Sequence, residues 1–145
     1  MKTFKLTLFA LLVGTALASC KKEGCTDSDA TNYDEKAKTD DATCTYEGSA
    51  VFWYGEATAT ALDASGTSNL KYYVNAELIG SSAADVFWTG APDCGQDGSI
   101  TFNYDMGLQK TISFSYWITN NVGLELWSGD LVLEANTCKT IELVF

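Results

Sequence analysis

The chain predicts an all-β fold: an antiparallel β-sandwich of about seven strands, preceded by a small disulfide-bracketed acidic loop. Three observations lead there. From residue 50 onward apolar residues recur with period two, turns rich in Gly, Asp or Asn interrupt them at short intervals, and four cysteines bracket loops with no C-x-x-C pair among them. Period-two alternation marks a strand with one buried face, and several short strands evenly spaced over roughly a hundred residues are the pattern of two packed sheets.

The elements follow in chain order. Val51 to Tyr54 opens the domain and, with Ala57 to Leu62, reads as extended chain. Leu70, Tyr72, Val74, Ala76 and Leu78 alternate with Lys71, Tyr73, Asn75 and Glu77, which gives one half-buried strand. Val86 to Trp88 supplies a short strand. Ile100, Phe102 and Tyr104 repeat the alternation, as do Ile112, Phe114, Tyr116 and Ile118. Between Leu124-Glu125-Leu126 and Leu131-Val132-Leu133 the phase slips by one residue, and a bulge at Ser128-Gly129 would restore the inward face. Ile141, Leu143 and Phe145 close the series. The run from Gly98 to Phe145 loosely resembles transthyretin-like and immunoglobulin-like accessory domains, which implies the same sandwich.

Two further segments precede this domain, so the chain divides as 1–19, 20–49 and 50–145. Lys2 and Lys5 followed by the apolar run Leu6 to Leu17 have the charge and hydropathy order of a signal peptide. Twelve helical residues cover only about 18 Å against a hydrocarbon core of about 30 Å, too little for a spanning helix. Leu17-Ala18-Ser19-Cys20 then resembles the processing box of bacterial lipoproteins. That resemblance implies removal of 1–19, diacylglycerol on the Cys20 thiol and a place in the cell envelope with the membrane as partner, and Lys21-Lys22-Glu23 after the anchor points to an outer-membrane, surface-exposed lipoprotein. Plain secretion after Ala18 is the competing reading. Cysteine arithmetic separates the two: the cysteines lie at 20, 25, 44, 94 and 138, and acylation of Cys20 leaves an even four. Those four allow three connectivities, and locality favours Cys25 with Cys44 and Cys94 with Cys138. Zinc is the weaker alternative for four cysteines in an oxidising compartment.

Composition narrows the function. After residue 19 the chain holds seven lysines against nineteen Asp and Glu, a net charge of −12, and it has no arginine and no histidine. Nucleic acid is thereby an improbable partner, since phosphate contacts need Lys and Arg. Histidine-based nucleophile activation is also ruled out. The sequence shows no G-x-S-x-G, no H-E-x-x-H and no phosphate loop, so the expectation is a protein that is not an enzyme.

The acidic segment has its own signature. Gly24-Cys25-Thr26-Asp27-Ser28-Asp29-Ala30-Thr31-Asn32-Tyr33, then Asp40-Asp41-Ala42-Thr43-Cys44-Thr45-Tyr46, resembles a Cys-bracketed repeat of secreted and surface proteins of Gram-negative bacteria, with Ala42-Thr43 in place of its usual Gly-Ser. Similarity to acidic thrombospondin type 3 repeats implies a calcium site from Asp27, Asp29, Asn32, Asp34, Asp40 and Asp41. These residues lack the EF-hand spacing and its turn glycine, and the favoured reading is that they solvate a disulfide loop, so no cofactor is expected.

Aromatic residues provide the last signal. Phe52-Trp53-Tyr54, Tyr72-Tyr73 and Tyr116-Trp117 are consecutive on strands, so one member of each run must face outward. Trp53, Tyr73 and Trp117 are the candidates for an outer patch that would bind a polysaccharide or a protein. The expected function is a lipid-anchored accessory or interaction module, with a glycan-binding module as the alternative and a small carboxylate-based hydrolase behind both.

Overall fold

Alternating apolar side chains and β-branched or aromatic residues form most of the expected strands in the computed structural model, which describes residues 21–145. The segment 1–19 and Cys20 lie outside the described residues. Among the described residues there are seven strands: β1 (Tyr46–Trp53), β2 (Asn69–Val74), β3 (Glu77–Ala83), β4 (Ile100–Gly107), β5 (Thr111–Asn120), β6 (Glu125–Glu134) and β7 (Cys138–Glu142). One helix, α1 (Glu56–Ala64), interrupts them. A three-stranded sheet has the order β4-β1-β7 and a four-stranded sheet the order β3-β2-β5-β6. Every ladder is antiparallel except β1 with β7, which is parallel.

The core fills the space between the sheets. β1 contributes Ala50 and Phe52, β2 contributes Leu70, Tyr72 and Val74, β5 gives Ile118, and β6 gives Leu131 and Leu133, all buried. Phe52 packs on Tyr72 and Tyr116 with ring centroids 5.8 and 5.2 Å apart. Burial raises the Tyr72 phenol well above its ordinary range, and its hydroxyl shares a hydrogen bond with Ser82 at 3.1 Å. Gly48 sits where β6 crosses β1: a Cβ there would stand 2.8 Å from Met106 Sδ and 3.0 Å from the Glu134 carbonyl oxygen.

Several details depart from the sequence reading. Ala57 to Leu62 is helix, because alanines at 57, 59, 61 and 64 favour it and the buried Thr58 and Leu62 fall on one face four residues apart. The Thr58 hydroxyl donates to the Leu143 carbonyl at 3.1 Å and ties α1 to the chain end. The expected strand from Leu70 to Leu78 is a hairpin. Asn75 and Ala76 both take positive φ, 49° and 68°, the geometry of a tight turn whose twist matches its strands. Val86 to Trp88 forms no strand, and the Trp88 amide donates to the Tyr54 carbonyl at 2.9 Å. The bulge is at Leu126: Ile118 faces Trp127 while Thr119 faces Glu125, whereas Ser128 and Gly129 pair regularly with Trp117 and Tyr116. Tyr116 needs that glycine, since a Cβ at 129 would meet its hydroxyl at 3.0 Å.

Both disulfides form as locality favours, Cys25 with Cys44 and Cys94 with Cys138. The second one straps the outer face of the three-stranded sheet. Cys138 lies opposite Ser49 and Thr101 opposite Val51, all on that face, and the Gly95 amide donates to Thr101 Oγ1 at 2.9 Å. The loop from Cys94 thus crosses β1, and Val51 is 0 % exposed on what would otherwise be an open surface.

Candidate functional site

The acidic segment is knitted by its own side chains. Asp27, Asp34, Asp40 and Asp41 each accept a hydrogen bond from the amide two residues ahead, and Asn32 bonds the main chain of Thr43 and Thr45. Such local bonds hold irregular chain in place of a ladder. Lys22 pairs with Asp34, and Lys110 pairs with Asp27 at 2.5 Å and reaches Asp29 at 3.6 Å. Lys110 also lies 5.5 Å from the Tyr46 ring centroid, so it fastens the segment to the β4–β5 turn. The Lys110 ammonium, with the Tyr46 hydroxyl at 2.8 Å and the Asp29 amide, holds the Asp27 carboxyl at about 2. The same pairing raises Lys110. Lys22, with the Lys36 amide, lowers Asp34, and the Thr43 hydroxyl lowers Asp41.

The six oxygen donors named for calcium are engaged in these turns and ion pairs. Among the described residues no group of three or more His, Cys, Asp or Glu side chains gathers at metal-binding distance. The expected acidic boundary at residue 49 falls inside β1, because Tyr46 already pairs with Gly107.

The outer aromatics divide between the two sheets. Tyr73 and Trp117 are cross-strand neighbours on the outer face of the four-stranded sheet and stack with centroids 5.3 Å apart and planes at 10°. Trp53 lies on β1, in the other sheet, with the side-chain parity of Val51 that faces away from the core. The single patch of Trp53, Tyr73 and Trp117 therefore does not form. All three are half-buried.

A different aromatic group is open to solvent. On one flank β3 and β4, the free edges of the two sheets, come together where Gly80 leaves room for Ile100, whose Cδ1 would stand 3.1 Å from an added Cβ. They part toward the β2–β3 turn. The last β2–β5 pair is Val74 with Tyr116, and the Asn75 amide then donates to Ser115 at 2.9 Å, so Phe114, the next inward residue, has no β2 neighbour. A wedge-shaped cavity of about 410 Å³ remains, lined by Phe102, Tyr104, Phe114, Leu78, Glu77 and Asn75 and by Thr101 and Asn103 of β4. Its rings stand 4.7 to 5.8 Å apart, centroid to centroid. Tyr104 is 38 % exposed although it belongs to the inward series of β4, which shows that the wedge opens to solvent. Glu77 is the one carboxylate in this lining. The volume lies within the range of small-ligand sites. The sequence places Phe102, Tyr104 and Phe114 in the core series, and only the turn at Asn75-Ala76 signals that their cover stops short.

A second hollow, of about 490 Å³, lies between the end of α1 and the end of β3, with Asp63 and Asp85 among its lining residues. No family model, characterised relative or solved structure matches the chain.

Proposed function

We propose that the chain is an exported, lipid-anchored, non-catalytic interaction module of the bacterial cell envelope. One observation carries the reading: the two disulfides consume Cys25, Cys44, Cys94 and Cys138, so of the five cysteines Cys20, directly after the apolar run, is left for a thioether. Disulfides of this kind belong to oxidising compartments outside the cytoplasm. Two or three acyl chains at about 0.8 kcal/mol per buried CH₂ would retain the protein at a membrane. No helix among the described residues is long and apolar enough to cross a bilayer.

The test is fractionation of cells expressing the native chain or Cys20→Ala. The native protein should incorporate labelled fatty acid and sediment with membranes through a high-salt wash, and the variant should do neither. A variant that stays membrane-bound would overturn the anchor.

Polysaccharide binding is the second reading, favoured by the aromatic wedge with Asn75 and Glu77 at its rim. Aromatic faces beside a few fixed polar groups suit sugar rings. A shift in tyrosine or tryptophan fluorescence on adding envelope polysaccharide, lost in Tyr104→Ala, would support it.

A further inference from the structure

We infer that the free edge of β4 is a docking site for an extended, basic polypeptide segment, which joins the three-stranded sheet as an added strand within the wedge. This inference rests on the interaction-module reading and names the chemistry of the partner.

The direction of the β4 main chain follows from the far side of β1. The Ser49 amide donates to the Thr137 carbonyl at 3.0 Å, and the Glu47 and Trp53 carbonyls accept from the Asn136 and Leu143 amides, each at 2.8 Å. Odd residues of β1 thus aim their main chain at β7, and Gly48, Ala50 and Phe52 aim theirs at β4. Those three lie opposite Tyr104, Phe102 and Ile100. By the alternation of an antiparallel ladder, the N–H and C=O groups of Thr101 and Asn103 point away from β1. β4 has no second neighbour in its sheet.

These same two residues border the wedge, and their side chains are occupied elsewhere. Thr101 Oγ1 accepts from the Gly95 amide at 2.9 Å, and Asn103 Oδ1 accepts from the Ser49 hydroxyl at 2.7 Å, both on the outer face. The wedge therefore receives their main chain, two donors and two acceptors at strand spacing. Beside this row lie Phe102, Tyr104 and Phe114, able to take an apolar side chain of the incoming strand. An exposed row of this kind is the substrate for strand addition, with main-chain bonds giving affinity and side-chain pockets giving selectivity.

Charge selects the occupant. The lining contains Glu77 and no lysine, and the whole chain carries a formal charge of −10. A second copy would carry the same net charge of −10, so like charge opposes self-pairing through β4. A segment alternating lysine with apolar residues meets both the carboxylate and the aromatic floor.

The probe is the peptide acetyl-Lys-Val-Lys-Phe-Lys-Val-Lys-amide, titrated into the detergent-solubilised full chain, with amide hydrogen exchange read by NMR. Binding should slow exchange at Thr101 and Asn103 and spare amides already in ladders. Asn103→Pro removes the outward N–H, a change that edge strands accept, together with the side-chain acceptor of Ser49, and should weaken binding about tenfold while its thermal midpoint matches that of Asn103→Ala, which loses the same side-chain bond. Asn103→Ala keeps that N–H and should bind like the native chain. Glu77→Lys, which leaves the β4 edge untouched, should reduce the preference for this peptide over its all-glutamate counterpart, the chain as a whole remaining acidic. The inference fails if the peptide does not bind by about 1 mM. It fails equally if Asn103→Pro binds unchanged, if Glu77→Lys leaves the preference as it was, or if Thr101 and Asn103 become protected without peptide as a dimer forms. Acylation of Cys20 is read separately, so loss of the anchor and loss of the docking site are distinguishable.

Discussion

Opening the Cys94–Cys138 strap is the sharpest test of how this fold is held. The double substitution Cys94→Ser/Cys138→Ser frees a loop with a sequence separation of 44 residues, against 19 for Cys25–Cys44. In the loop-entropy account the longer closure contributes about 4 kcal/mol at 25 °C and the shorter about 3 kcal/mol. Since a domain of this size has a net stability of about 5 to 15 kcal/mol, the strap is a large share of the total. With an unfolding entropy of about 2.1 cal/mol/K per residue over about 125 residues, removing it should lower the thermal midpoint by about 15 °C. Denaturation followed by circular dichroism at matched pH reads this directly. The structure adds an order of events: Cys138 is exposed and Cys94 half-buried, whereas Cys25 and Cys44 are 2 % and 9 % exposed, so mild reductant should open the strap first. A loss below about 1 kcal/mol would refute the reasoning, because the strap would then constrain nothing that the sheets do not already fix.

Three other outcomes are expected. Gly48→Ala should destabilise by about 1 to 3 kcal/mol in urea titrations, through the overpacking of Met106 and the Glu134 carbonyl, while Gly90→Ala, with nothing within 4 Å of its added Cβ, should be close to neutral. The Asp27 carboxyl titrates at about 2 against an ordinary 3.8, so its contribution to stability is complete above pH 4 and is lost as pH falls toward 2. Asp27→Asn should flatten the stability profile in that window, and an unchanged slope would contradict the pairing with Lys110. A double-mutant cycle of Tyr73→Ala and Trp117→Ala should give a coupling of about 0.5 to 1.5 kcal/mol for the stacked pair, with Trp117→Ala alone costing less than the roughly 3 to 5 kcal/mol of a core tryptophan.

Strands whose inward residues are Ile, Phe and Tyr were legible from the sequence because two periods agree there: residue type and alternation both favour extended chain, as in β4 and β5. Where those cues part, the structure departs from the local pattern. Ala57 to Leu62 alternates alanine with threonine, yet alanine propensity and the Thr58–Leu62 spacing make it α1. Ala76 continues an apolar alternation but takes a left-handed φ at the hairpin turn, a conformation that no alternation pattern encodes. The bulge lies at Leu126 because β5 sets the register, and a partner strand is invisible to local phase. The same reason hides the wedge. Phe102, Tyr104 and Phe114 read as core, and only the tertiary divergence of β3 from β4 beyond Gly80 leaves them partly uncovered. Trp53 and Trp117 share an outward parity, but sheet assignment, which separates them, is long-range.

The central claim, an exported and acylated module, is tested most directly by the intact mass of the protein extracted from its native membrane. The expected species begins at Cys20, carries the mass of its acyl chains, and takes up no thiol reagent until it is reduced, after which four thiols react, those of Cys25, Cys44, Cys94 and Cys138. A species that begins at Ser19 with a reactive Cys20 thiol, or that retains residues 1–19, would contradict the account.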